Sequence, residues 1–235
     1  MEDDAGRAAT GGTEASAQEA LSFVEPGHVL GLGTGRAATA FVHALGARVA
    51  DGLEITGVPT SEATAAVARE LRIPLVGLEQ VDQIDVTFDG ADEVDATLDL
   101  IKGYGGALVR EKIVAASSRR LVILVGAEKC VPQIGSRGKL PVEVLPFGEA
   151  LCRKRLCELD CEPVLRETQA EAPYVTDNGN VILDCRIAPI EDAEQLERAI
   201  LAIPGVLGTG LFVGMADAVI VQDGDRVEVR RRHRN

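Results

Sequence analysis

The sequence of 235 residues has no apolar run near the roughly 20 residues that a membrane-spanning helix needs, so a helical membrane protein is excluded. The first 27 residues hold no hydrophobic signal core, so export is not expected and a cytoplasmic location is. No C-x-x-C pair occurs. The five cysteines (Cys130, Cys152, Cys157, Cys161 and Cys185) are odd in number, which argues for reduced thiols over a disulfide framework or zinc knuckle. The three histidines, His28, His43 and His233, stand too far apart to suggest a metal-ligand set, and no metal is expected. Positive charge is also scarce. With 24 Lys and Arg against 37 Asp and Glu the net charge is -13, a balance that repels nucleic-acid phosphates and anionic lipid headgroups. Neither nucleic acid nor a membrane is an expected partner. Only five basic residues are lysines (102, 112, 129, 139 and 154), so each asks for a reason.

What is present describes a globular chain with 46% apolar and 26% charged residues. Its length exceeds one domain of about 100–150 residues, so a main domain with a smaller second one is expected. A small anionic ligand meets the same overall repulsion as a nucleic acid. Any phosphate site must therefore be built locally from helix N-termini, backbone N–H groups and a few placed cations.

Hydrophobic periodicity predicts a first helix behind the Ser16/Glu19 capping box, with Met1 to Gly12 fraying ahead of it. An alternation follows: strand 28–32, helix 37–49, strand 53–58, helix 61–71, strand 84–88, helix 107–117 and strand 121–125. Such alternation implies a parallel sheet covered on both faces. Near Lys139 the rhythm changes to strand 140–145, helix 149–159, strand 162–166, strand 174–183 broken by a turn at 177–180, helix 192–202 and a strand after Gly205. That order is β-α-β-β-α-β, the ferredoxin-like plan, read here as an insertion. The runs 211–213, 218–221 and 227–229 are expected to rejoin the first sheet.

Several segments carry chemistry. Gly31-Leu32-Gly33-Thr34-Gly35-Arg36-Ala37-Ala38 falls where a strand gives way to a helix, a place for an anion against backbone N–H groups. It also satisfies G-x-G-x-x-A, yet the next strand ends in Val58-Pro59-Thr60-Ser61 instead of the acidic residue a dinucleotide needs. Thr60 and Ser61 place hydroxyls at the next strand-to-helix turn; an ordinary N-cap is the simpler reading of that turn alone. Asp89-Gly90-Ala91-Asp92-Glu93-Val94-Asp95 crowds four carboxylates into seven residues, which suits a solvated loop or a site but lacks calcium-loop spacing. It is followed by Ile101-Lys102-Gly103-Tyr104-Gly105-Gly106 and a helix bearing Arg110-Glu111-Lys112. Acid cluster, cation, flexible backbone and helix start thus arrive together. The helix dipole favours Glu111 in its charged, basic form, although spacing alone also allows a surface glutamate.

These strings, together with AEK (127 to 129), LPVEVLPFG (140 to 148), VTDNGNVILD (175 to 184) and AIPGVLGTGLF (202 to 212), resemble the ribose-5-phosphate isomerase A family, in order and over roughly 20 to 229. The resemblance implies an α/β fold, a Rossmann-like parallel-sheet domain over 13–137 and 209–235 with an inserted ferredoxin-like lid over 138–208; the small, polar, Gly-rich stretch 1–12 is expected to be a flexible extension. It implies a cofactor-free exchange of ribose 5-phosphate and ribulose 5-phosphate, by a homodimer or homotetramer. Glu111 matches the general base, and Asp89, Asp92 and Lys102 fall in the catalytic loops. Gly103, Tyr104 and Gly105 match backbone contacts to substrate, Lys129 a substrate-binding lysine, and Thr34 the phosphate loop. Gly35, Arg36, Ala37, Thr60, Ser61, Gly90 and Ala91 border the same segments.

Four departures stand out. Arg36 and Ala37 replace hydroxyl residues of the family loop, and the first helix lacks a lysine found in some members, so Arg36 is expected to restore the phosphate-binding charge. Gly126 stands where an Asp is common, and Tyr104 interrupts the glycine run. Two other functions compete, a non-catalytic phosphosugar-sensing module and a nicotinamide dehydrogenase. The first would carry a helix-turn-helix segment; the 27 residues before the first strand hold one helix.

Overall fold

The computed structural model describes residues 4–232. In chain order these form α1 (Asp4–Leu21), β1 (Val29–Leu32), α2 (Arg36–Ala50), β2 (Thr56–Pro59), α3 (Glu62–Glu70), β3 (Val86–Gly90), β4 (Glu93–Val94), β5 (Leu100–Ile101), α4 (Leu108–Ala116) and β6 (Leu121–Gly126). There follow β7 (Lys139–Val144), α5 (Glu149–Cys157), β8 (Glu162–Leu165), β9 (Val181–Arg186), α6 (Ala193–Leu201), β10 (Val206–Thr209), β11 (Leu211–Phe212), β12 (Ala218–Asp223) and β13 (Arg226–Arg231). None of the helices among the described residues is long and apolar enough to cross a membrane. The chain divides into two compact units, Met1–Ala91 with Arg110–Cys130 and Met215–Asn235, and Asp92–Val109 with Val131–Gly214.

The first unit is built on a six-stranded sheet in the order β13-β12-β6-β3-β1-β2. Its strands are parallel except β13, which pairs antiparallel with β12. Strand alternation explains the double coverage. Leu30, Leu32, Val86, Phe88, Val122, Leu124 and Ile220 point to one face and pack with Ala17 and Ala20 of α1 and Phe41, Val42 and Leu45 of α2. The Phe41 and Phe88 rings stack with centroids 4.1 Å apart. On the other face Val58 and Ile84 meet Val114 of α4. Both faces being buried is why these strands read as nearly continuous apolar runs.

The second unit contains a four-stranded antiparallel sheet in the order β10-β7-β9-β8. Numbered within the β-α-β-β-α-β run, that order is 4-1-3-2, the ferredoxin-like arrangement. One face, with Leu140, Val142, Val144, Leu183 and Cys185, packs on Cys152 and Leu156 of α5 and Ile200 of α6. The opposite face therefore carries the alternate residues Lys139, Pro141, Glu143, Ile182 and Asp184.

Four expectations are corrected. α1 begins at Asp4, so Ser16 lies inside the helix, where its hydroxyl donates to Thr13 O at 3.0 Å instead of capping a start. Of the stretch expected to fray, residues 4–12 form the first turns of α1, and 1–3 lie outside the described residues. Leu211–Phe212 does not rejoin the first sheet; it pairs with β5 in a three-stranded sheet of order β11-β5-β4. Finally, of the strand expected at 174–183, broken by a turn at 177–180, the turn is present but the regular strand begins only at Val181, where Thr176 and Asn180 ahead of it turn inward to hydrogen bond the buried carboxylate of Glu143.

Candidate active site

In the first unit β1 is flanked by β2 on one side and β3 on the other, so the chain reverses its direction of winding between β1 and β3. Ligands of open α/β sheets bind at the carboxyl ends of strands at such a switch point. The segments singled out in the sequence lie there: Gly33 to Ala37 after β1, Thr60 and Ser61 after β2, and Asp89, Gly90 and Ala91 closing β3.

Four hydroxyls meet at this edge. Thr34 Oγ1 lies 2.8 Å from Thr60 Oγ1, 2.7 Å from Ser61 Oγ and 3.1 Å from Thr64 Oγ1. Ser61 also caps α3 by accepting from the Thr64 N–H, and Thr64 Oγ1 donates to Gly33 O at 2.8 Å. The N-cap reading of Ser61 is thus correct, and the hydroxyl joins the cluster as well. Gly35 caps α2 at φ +106°, a backbone shape that favours glycine, and leaves the helix without a side-chain cap. Arg36 follows, exposed, with its guanidinium 3.7 Å from the exposed Glu128 carboxylate. Ala37 is half-buried.

Asp89 is 1% exposed and its Oδ1 accepts the N–H groups of Thr34 at 3.1 Å and Gly90 at 2.7 Å. Gly33 allows this closeness, since a Cβ there would stand 2.6 Å from Asp89 Cα. Glu111, in the first turn of α4, is 4% exposed, so it is not the surface glutamate that its Arg-Glu-Lys setting allowed. Lys129, half-buried, ends a short 3₁₀ turn directly after β6.

In the second unit Lys102 is 2% exposed and its ammonium lies 5.4 Å from the Phe212 ring centroid. Its backbone N–H donates to Gly210 O at 2.8 Å. The glycine-rich loop then turns through Gly103 at φ +103° and Gly106 at φ +89°. Asp92 Oδ2 accepts the Tyr104 N–H at 2.9 Å, so the acidic segment braces that loop. Tyr104 donates its hydroxyl to Lys139 O, and burial, then the Glu93 and Asp92 carboxylates, hold its phenol well above the usual range. It stays neutral. Gly105 is exposed.

Sequence reasoning missed four contributors. Thr64 had a signal, its S-x-x-T spacing from Ser61. Glu93 stands in the acidic run that suits a solvated loop or a site, with no role of its own expected; it is fully buried, accepting the N–H groups of Gly135 and Arg137 at 2.7 and 2.9 Å. Arg166 and Tyr174, which bond the carbonyls of the glycine-rich loop, had no local signal.

Comparison with known proteins places these residues in context. The family model described as ribose 5-phosphate isomerase A (phosphoriboisomerase A) matches residues 56–226. The ribose-5-phosphate isomerase A of Roseiflexus sp. (strain RS-1) is 51% identical over 214 residues, covering 90% of this chain and 92% of that one. The structure of ribose 5-phosphate isomerase A from Methanocaldococcus jannaschii superposes with a TM-score of 0.90 at 38% identity, covering 95% and 99% of the two chains. A D-ribose-5-phosphate isomerase solved in complex with phospho-erythronic acid gives 0.91 at 38% identity, covering 94% and 97%.

Proposed function

The chain belongs to the ribose 5-phosphate isomerase A family, and from that premise we propose how its own residues perform the reaction. It is a ribose-5-phosphate isomerase, exchanging D-ribose 5-phosphate and D-ribulose 5-phosphate in the pentose phosphate pathway. The reaction moves a proton from C2 to C1 of the open-chain sugar. Glu111 takes the C2 proton, the electron pair shifts to give an enediolate, and Glu111 returns the proton to C1 as the C2 carbonyl forms. Charge builds on the carbonyl oxygen in between. Lys102 and N–H groups of the loop of Gly103, Tyr104 and Gly105 that are left open to substrate stabilise it, the Tyr104 N–H itself being held by Asp92. Asp89 assists ring opening at the ring oxygen, and Asp92 helps exchange the proton between O1 and O2.

The phosphate is assigned to the hydroxyl cluster of Thr34, Thr60 and Ser61 and the N-terminus of α2 at Gly35 and Ala37. Arg36 supplies charge there, and Lys129, with the backbone at Gly90 and Ala91, completes the substrate contacts. The observation that carries the reading is burial. Asp89, Lys102 and Glu111 are each less than 5% exposed, and a fold places ionisable groups out of water only at a cost of several kcal/mol that function or pairing must offset.

The stretch 138–208 is assigned as an inserted lid on the main domain, because its strand order is that of a self-contained ferredoxin-like unit. A homo-oligomer is proposed as well, supported by the nearly fully exposed Phe147 with Leu145, Leu151 and Leu207 also exposed in the second unit. The site of action is assigned to the cytoplasm. Incubating the purified protein with ribose 5-phosphate after exhaustive chelation should yield ketose; no ketose would refute the reading.

A further inference from the structure

We propose that Arg166, held by Asp184, is a positioning residue that sets which way the amides of the glycine-rich loop point. The inference rests on the reading of that loop as an oxyanion site. Arg166 follows β8 directly, and its N–H donates to Ile182 O, which continues the β8–β9 ladder and directs the side chain to the face opposite the apolar core. Asp184 lies on that same face and meets the guanidinium as a fork, Nε to Oδ2 at 2.9 Å and Nη2 to Oδ1 at 2.5 Å. The Lys139 ammonium, 2.9 Å from Asp184 Oδ2, steadies the carboxylate further. The Arg166 side chain is only 10% exposed.

The remaining nitrogen, Nη1, donates to two successive carbonyls, Gly103 O at 3.0 Å and Tyr104 O at 3.1 Å. Tyr174, whose ring lies 5.7 Å from the guanidinium carbon, donates its hydroxyl to Gly105 O at 3.4 Å. Three consecutive carbonyls are therefore drawn to one side. A peptide unit is planar and trans, so each carbonyl and the following N–H point in opposite directions. Fixing the Gly103 carbonyl aims the Tyr104 N–H the other way, where it meets Asp92 at 2.9 Å. Fixing the Tyr104 carbonyl aims the Gly105 N–H to that same side.

A latch is needed because the loop could turn over. Gly103 and Gly106 lie at positive φ, and glycine at both ends lets the intervening peptides flip at little steric cost. A flipped Tyr104–Gly105 peptide would present a carbonyl oxygen to developing negative charge. Arg166 prevents the flip and neutralises the negative ends of the carbonyls it holds. This role differs from charge supplied to substrate, because the guanidinium is spent on Asp184 and the loop.

The test uses Arg166→Lys, which keeps the charge and loses the planar fork, and Arg166→Ala, with kcat and KM for ribose 5-phosphate measured separately beside thermal melting. Loss of an oriented donor costs on the order of 10²-fold in turnover. Arg166→Lys is expected to lower kcat by about that factor with KM within about threefold, because only the oxyanion is affected. Added guanidinium ion should restore part of the kcat of Arg166→Ala, an effect that a purely structural role would not give. Should Arg166→Ala fail to fold, Tyr174→Phe, which removes one hydroxyl, should still lower kcat without raising KM. Wild-type kcat in folded Arg166→Lys, or kcat and KM changing together without guanidinium rescue, overturns the proposal. An inactive wild-type protein would instead refute the isomerase reading itself.

Discussion

Replacing Gly33 by Ala puts a methyl group where the structure has no room for one. The added Cβ would stand 2.3 Å from Asp89 Oδ1 and 2.6 Å from Asp89 Cα. Carbon contacts settle at about 3.5–4.0 Å, so Asp89 or the end of β1 must give way by about 1 Å. Because one clashing atom is backbone, rotating the carboxylate away does not solve it. Overpacking of this kind costs about 1–3 kcal/mol. For a chain of this length each kcal/mol lowers Tm by about 2–4 °C, so Tm should fall by about 2–12 °C. The displacement also misaligns the Thr34 and Gly90 N–H groups on Asp89 Oδ1. A misplacement near 1 Å costs turnover about 10²-fold.

Gly35→Ala is the control. Its Cβ would meet nothing within 4 Å, but φ of +106° strains any other residue by about 1–3 kcal/mol. Both variants should therefore melt early by similar amounts. Only Gly33→Ala should lose kcat, whereas Gly35→Ala, at the start of α2, should raise KM. Steady-state kinetics and calorimetry on the two proteins read both effects. If Gly33→Ala melts early yet keeps full kcat, Asp89 has no part in the chemistry, and if neither melts early the steric reasoning is wrong.

Thr34→Val removes the hydroxyl shared by Thr60, Ser61 and Thr64, leaving buried partners short of a bond at a cost of about 1–3 kcal/mol; a lower melting temperature and a raised KM are expected, and an unchanged KM would take the cluster out of phosphate binding. Arg36→Ala should raise KM about tenfold with kcat nearly unchanged, in the range of one charge-assisted hydrogen bond. Since its partner Glu128 is exposed, stability should not move measurably.

Much of the fold can be read from the sequence because its main sheet is parallel. Strands buried on both faces, such as Leu121–Gly126, appear as short apolar runs, and the helices between them show a clear period. Two-residue strands have no such signature, which is why Leu211–Phe212 looks like a continuation of the first sheet although it pairs with Leu100–Ile101. Glu93 and Glu143 are buried by partners distant in the chain, Gly135 and Arg137 in one case and Thr176 and Asn180 in the other. Local charge density therefore misleads for Glu93, and for Glu143, alone in the apolar run 140–145, nothing local marks its partners. The candidate catalytic residues stand out because their types cluster beside glycine-rich turns. Arg166 does not, since its function depends on β8 and β9 bringing it to a loop some sixty residues earlier.

The most direct test of Glu111 as the proton carrier is Glu111→Gln in deuterated buffer with ribose 5-phosphate, following solvent deuterium at C1 and C2 of the sugar. The substitution preserves shape, and loss of a general base costs about 10²–10⁴-fold. The wild-type protein should form ketose and incorporate deuterium; folded Glu111→Gln should bind ribose 5-phosphate with little change yet show neither exchange nor turnover above that residual level. Exchange and ketose formation at the wild-type rate in Glu111→Gln would contradict the assignment.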